Sequence, residues 1–84
     1  MFFYFLLIKS LNFYLKIGKS FVAIINKKIV GVVIFKVEQW WEGQVILIED
    51  LAVKEDFKKK GIGKNLTDKV ENYAKKIKAK AVSF

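Results

Sequence analysis

An 84-residue chain that is 54% hydrophobic and carries a net charge of +8 has room for one small domain burying roughly 60 to 65% of its unfolded surface, and it is too apolar to be disordered. The charge comes from 16 basic residues, all lysine, against 8 acidic ones; with no arginine there is no bidentate guanidinium contact to guanine or phosphate, which weakens a nucleic-acid reading. Cysteine and histidine are absent, which excludes disulfides, Cys/His zinc sites, Cys-His dyads and Ser-His-Asp triads, and leaves chemistry to carboxylates, hydroxyls, lysines and backbone groups.

The chain opens with the apolar run Phe2 to Ile8, too short to span a bilayer and without the basic flank and small-residue cleavage point of a signal peptide. A cytoplasmic setting is expected on that ground. Tyr4, Leu7, Ile8, Leu11, Tyr14 and Leu15 share one face at helical spacing, while Lys9, Asn12 and Lys16 lie elsewhere. The spacing predicts an amphipathic helix within residues 1–20, packed on a sheet and stopped by Gly18; a helix lying on a membrane surface is the alternative.

Phe21 to Ile25 and Ile29 to Phe35 are apolar runs separated by Asn26-Lys27-Lys28, the pattern of a hairpin. Unbroken rather than alternating apolarity predicts helices on both faces of the sheet, and Gly31 marks a bulge or a close approach. A turn at Trp40-Trp41-Glu42-Gly43 leads to a third strand from Gln44 to about Val53, with the tryptophan pair expected to cap one end of the core. Antiparallel strands thus occupy residues 21–53.

Residues 54–64 then join strand to helix through a basic, glycine-containing turn, Lys58-Lys59-Lys60-Gly61-Ile62-Gly63-Lys64. Amides at a helix start have no intrahelical partner, and the peptide dipoles add partial positive charge there, so a diphosphate can be held largely by main chain. Two other phosphate loops do not fit. A Walker-type loop needs glycine where Lys58 stands and Ser or Thr where Asn65 stands. A dinucleotide fingerprint needs a small residue at the position of Leu66. Lys60 and Lys64 flank the glycines and are the favoured phosphate contacts, whereas Lys58 and Lys59 have a plainer role as solvated charge. Ile62, Leu66, Val70, Tyr73, Ala74 and Ile77 recur at spacings of three and four, predicting a helix over 61–78, with Lys64–Asp68 and Glu71–Lys75 as charge pairs on its outer face. Residues 79–84 return as a strand beside the third, a right-handed strand-helix-strand crossover.

Leu51-Ala52-Val53 at a strand end, the loop Lys58 to Gly63, the strand start Lys28-Ile29-Val30-Gly31 and the helix body Val70-Glu71-Asn72-Tyr73-Ala74 together resemble the GNAT superfamily of acyl-CoA-dependent N-acyltransferases over Phe21 to Phe84. Lys58 stands where the family has Gln or Arg, and Glu55 where proline is frequent. The resemblance implies an α/β (α+β) fold, with an antiparallel three-stranded meander, a helix and a parallel strand, here preceded by the N-terminal helix. It implies a coenzyme A loop at Lys58, Lys59, Lys60, Gly61, Ile62, Gly63 and Lys64. In the family the strand before this loop bulges and splays from the next, which implies that main-chain groups of Leu51, Ala52 and Val53 meet the pantetheine arm and the thioester oxygen.

Acetyl-CoA is the implied cosubstrate, attacked directly by an uncharged primary amine, with Glu49 as base, through a water, and Asp50 as the alternative. A regular strand would point these two carboxylates to opposite sides. A complete family member is longer, so residues 1–84 are expected to form a single partial domain whose open edge and uncovered apolar face invite a second copy. A fragment that binds acyl-CoA or dimerises without turnover is one alternative. A basic single-strand nucleic-acid binder using Trp40 and Trp41 is another.

Overall fold

A computed structural model describes residues 13–84. Short loops with the dihedrals of hairpin turns set its topology. Strand β1 (Phe13–Ile17) pairs antiparallel with β2 (Ser20–Ile25), Ile17 facing Ser20 across the two-residue loop Gly18-Lys19. Gly18 has φ +58°, the positive value that the first position of a II′-type hairpin turn requires. Phe13–Ile17 is therefore strand where the helical spacing predicted helix, and Gly18 turns a hairpin instead of ending a helix. Over five residues the alternation of Phe13, Leu15 and Ile17 with Tyr14 and Lys16 fits a strand as well as the 3.6-residue pattern fits a helix, and pairing with β2 decides between them. The rest of the predicted N-terminal helix lies outside the described residues.

Strand β3 (Lys28–Trp40) follows through Asn26-Lys27, both at positive φ, 51° and 67°, as a type I′ turn demands. The register shifts from Ala23↔Gly31 to Ile24↔Ile29, so Val30 is an extra residue beside Gly31 and the strand bulges there. A Cβ on Gly31 would lie 3.1 Å from Ile62 Cγ2 and 3.2 Å from Leu66 Cδ1; this residue allows the helix to sit close on β3. Strand β4 (Gly43–Val53) pairs antiparallel with β3, and β5 (Ala81–Ser83) pairs parallel with β4 from Val45 to Leu47. The sheet order is β1-β2-β3-β4-β5, so the expected three-stranded meander has a fourth antiparallel strand in β1.

After a 3-10 turn at Glu55–Phe57, helix α1 (Ile62–Lys76) buries Ile62, Leu66, Val70 and Ala74 against Phe21, Ala23, Val33, Phe35, Ile46 and Ile48. The Phe21, Phe35 and Tyr73 rings cluster, with centroids 5.5 to 6.5 Å apart. Tyr14 and Lys16 also face α1: Asn65 Nδ2 donates to Tyr14 Oη at 3.0 Å, and Lys16 Nζ sits 4.9 Å from the Tyr73 ring centre. At the other end Ala79 N–H donates to Ala74 C=O (2.8 Å) and Lys78 N–H to Lys75 C=O (3.1 Å), with Lys78 at φ +60°. These are the paired bonds of a Schellman cap, with lysine where glycine is usual.

Of two expectations about the core, the first reaches beyond the described residues and the second is corrected. Among the described residues α1 covers one face of the sheet only. Phe13, Leu15, Ile17 and Ile34 point to the other face and stay 40 to 52% exposed. The segment expected to cover that other face falls largely within residues 1–12, outside the described residues. The tryptophan pair does not cap the core. It sits at the far tip of the β3–β4 hairpin, with Trp41 93% exposed and Trp40 held by an indole N–H to Glu38 Oε1 bond of 3.0 Å.

Candidate functional site

The C-terminal end of β4 and the first turn of α1 form two walls of a groove of about 510 Å³. Lys54 N–H donates to Val30 C=O at 2.8 Å and fixes the end of β4. The chain then passes through Lys59 at φ +65° and Gly61 at φ +80° before entering the helix. Gly61 is the residue at the helix cap, in left-handed conformation and without a side-chain cap. A Cβ there would meet nothing within 4 Å, so its backbone dihedral is what calls for glycine.

The first helical bond is Asn65 N–H to Gly61 C=O, 2.9 Å. The N–H groups of Ile62, Gly63 and Lys64 consequently have no acceptor within the helix, and roughly half a positive charge from the aligned dipoles collects there. Ile62 buries its side chain against Gly31 while its amide remains at the helix start. A Cβ on Gly63 would approach only Val53 Cγ2, at 3.9 Å.

Leu51, Ala52, Val53 and Phe57 line one side of the groove, and Lys58, Lys59, Gly61, Ile62, Gly63 and Lys64 line the other. Lys60 is not among them, although it was favoured over Lys59 from the sequence. The positive φ of Lys59 turns the chain between these neighbours, a reversal that residue types alone did not signal. Lys58 Nζ lies 3.3 Å from Glu55, and Lys64 Nζ donates to Asp68 Oδ2 at 2.9 Å. That bond to Asp68 raises the Lys64 ammonium above its ordinary 10.5. Glu71 and Lys75 do not close to ion-pair distance in the described structure. Lys59 and Lys60 make no ion pair among the described residues, so Lys59 is the uncommitted cation lining the groove.

On β4 the register passes from Ile34↔Asp50 to Phe35↔Ile48, so Ile48 and Glu49 together stand against Phe35. This bulge changes the phase of the strand. The Lys54–Val30 bond makes those two a hydrogen-bonded pair, and alternation gives Ala52 to Val32 in the same way, leaving the N–H and C=O of Leu51 and Val53 directed away from β3. On that outer side β5 reaches only to Leu47. Of the three expected backbone contacts, Leu51 and Val53 thus turn their groups to the outer edge, where no strand among the described residues meets them, and Ala52 has its own engaged by β3.

The bulge also brings Glu49 and Asp50 to the same face, where a regular strand would separate them. Glu49 Oε2 lies 3.7 Å from Lys36 Nζ, on the face away from α1, and Asp50 pairs with Ile34 on that face. Both are exposed. Leu51 N–H donates to Asp50 Oδ1 at 2.9 Å, a contact that no sequence pattern signalled.

The chain belongs to the acetyltransferase (GNAT) family, whose model matches residues 4–84. Among solved structures it is similar to an aminoglycoside acetyltransferase from an uncultured soil metagenomic sample, in complex with sisomicin, at 28% identity and TM-score 0.73 over 77% of this chain and 45% of that one. It is also similar to a GNAT family acetyltransferase from Staphylococcus aureus, at 26% identity and TM-score 0.70 over 76% of this chain and 49% of the other. An aminoglycoside N-acetyltransferase in complex with CoA shares the fold at 18% identity and TM-score 0.71, over 77% of this chain and 47% of that one. The chain spans about half the length of these structures. No curated protein matches it significantly.

Proposed function

We propose that the chain binds acetyl-CoA in this groove and takes part in moving the acetyl group to a primary amine by direct attack. The observation that carries this reading is the row of acceptor-less amides at Ile62, Gly63 and Lys64, set beside the free edge of β4 in a chain of the GNAT family. The diphosphate would lie on those amides, with Lys59 and, once released from Asp68, Lys64 adding charge. The pantetheine arm would follow the outward backbone groups of Val53 and Leu51. The thioester oxygen would accept from Leu51 N–H, where an oxyanion contact is worth about 2.7 to 4 kcal/mol.

In the transfer, the amine nitrogen forms a bond to the thioester carbonyl carbon, the carbon–sulfur bond breaks, and sulfur leaves as thiolate, taking up the second proton that the nitrogen sheds as the amide forms, so that CoA departs as the free thiol. The proton given up by the ammonium passes to Glu49 through a water, with Asp50 as the alternative acceptor. Alignment of the reactants can supply on the order of 7 to 11 kcal/mol of the barrier lowering. A cytoplasmic setting and a homo-oligomer belong to the same proposal. The outer edge of β4 beyond Leu47 and the exposed Phe13, Leu15 and Ile17 support association, and a monodisperse monomer in light scattering at micromolar concentration would contradict it.

Thermal-shift titration tests the binding. At about 100 times its dissociation constant acetyl-CoA adds roughly 2.7 kcal/mol to stability, and the shift should vanish in Gly61→Val with the sheet's circular dichroism retained. An unchanged melting temperature in the parent protein up to millimolar acetyl-CoA would remove the groove from the account.

A further inference from the structure

The Leu51 amide, the group assigned above to the acyl oxygen, already has an acceptor. Asp50 Oδ1 takes its proton at 2.9 Å. The register directs this amide away from β3, and no strand pairs with β4 beyond Leu47 among the described residues, so it is an edge donor that the neighbouring carboxylate has closed. Asp50 makes no ion pair and no other hydrogen bond among the described residues. Its one polar engagement is this contact, which exists because the bulge at Glu49 turned Leu51 outward.

We infer that Asp50 is a positioning residue that holds the acyl-oxygen site closed in the free protein, so that an acyl thioester must displace its carboxylate before Leu51 N–H can serve the reacting carbonyl. The inference rests on the acyl-CoA reading of the groove. A carboxylate accepting from an amide makes a charge-assisted bond, stronger than the one a neutral thioester oxygen makes in its place. The exchange is therefore unfavourable in the ground state and becomes favourable as negative charge develops on the acyl oxygen. CoA with a free thiol has no acyl oxygen and leaves the Asp50 bond intact. Asp50 consequently works against acetyl-CoA and leaves the affinity of CoA unaffected. If the contact served only to close a strand edge against pairing, its loss would change stability and leave the preference between the two ligands as it was.

The test is calorimetry with acetyl-CoA and with CoA on the parent protein, Asp50→Ala and Asp50→Asn, alongside amide spectra of the unliganded proteins. Asp50→Ala should raise the affinity for acetyl-CoA relative to CoA by roughly two- to tenfold, the range of one net hydrogen bond. Asp50→Asn, which keeps a neutral acceptor of the same size, should fall between. In the free proteins the Leu51 amide resonance should move between the parent and Asp50→Ala, and by less in Asp50→Asn. If both ligands bind and their affinity ratio is the same in all three proteins, this inference is overturned and the acyl-CoA reading stands. If the parent protein binds neither, both are overturned.

Discussion

At Gly63 a side chain has been omitted where the fold has room for one. An added Cβ meets Val53 at ordinary contact distance, and the residue lies inside α1, where glycine costs about 1 kcal/mol relative to alanine. Gly63→Ala should therefore raise stability in urea unfolding by up to about 1 kcal/mol while weakening acetyl-CoA binding, since the new methyl would enter the groove on the side of Val53. A variant that is stabilised and binds as before would detach the amides from the ligand. Lys59 and Lys60 give a second contrast: Lys59 lines the groove with no ion pair among the described residues and Lys60 does not line it, so Lys59→Ala should weaken acetyl-CoA by calorimetry more than Lys60→Ala. Spacing from the glycines favoured Lys60, because a string of residue types does not show the backbone reversal at Lys59. The loop itself was legible in Gly61, Gly63 and the lysines around them. The Asp50–Leu51 contact was not, since it depends on a bulge set by pairing with β3.

Helix α1 was legible because Ile62, Leu66, Val70 and Ala74 recur at a spacing that no strand shares over so many turns. Its end was less so. Lys78 takes the left-handed position of the cap, where a non-glycine residue costs roughly 1 to 2 kcal/mol, and lysine there gives no stop signal. Lys78→Gly should stabilise the protein by about 1 kcal/mol in chemical denaturation, and a loss of stability would contradict the cap. In the β3–β4 hairpin, the Trp40 indole bond and then the Lys36 ammonium hold the Glu38 carboxyl below its ordinary 4.5. A lowered folded-state value means that the contact stabilises fully above about pH 4.5 and is lost as acid carries the folded carboxylate through its depressed titration. Trp40 emission should change in that acid window in the parent protein, and the change should be absent in Glu38→Gln. Strand β1 was missed at this scale because five residues are too few to separate the two periods.

For the molecule as a whole, the core of the described residues rests on a single helix pressed against one face of a sheet. Leu66 and Val70 are fully buried beneath it. Leu66→Ala should cost about 2 to 5 kcal/mol, a large share of the 5 to 15 kcal/mol typical of a domain. The same helix carries the groove at its start and touches β3 through Gly31, so loss of this contact should lower the melting temperature and the acetyl-CoA affinity together. A variant that loses stability but binds with parent affinity while folded would show the groove to be independent of the helix seating.

The open flank of β4 has one more consequence. Beyond Leu47 it presents outward peptide groups at Leu51 and Val53 with no neighbouring strand among the described residues. The amide-bearing arm of a thioester ligand would dock there much as a peptide adds to a sheet margin, and the bound molecule would itself become a sixth ribbon of the sheet.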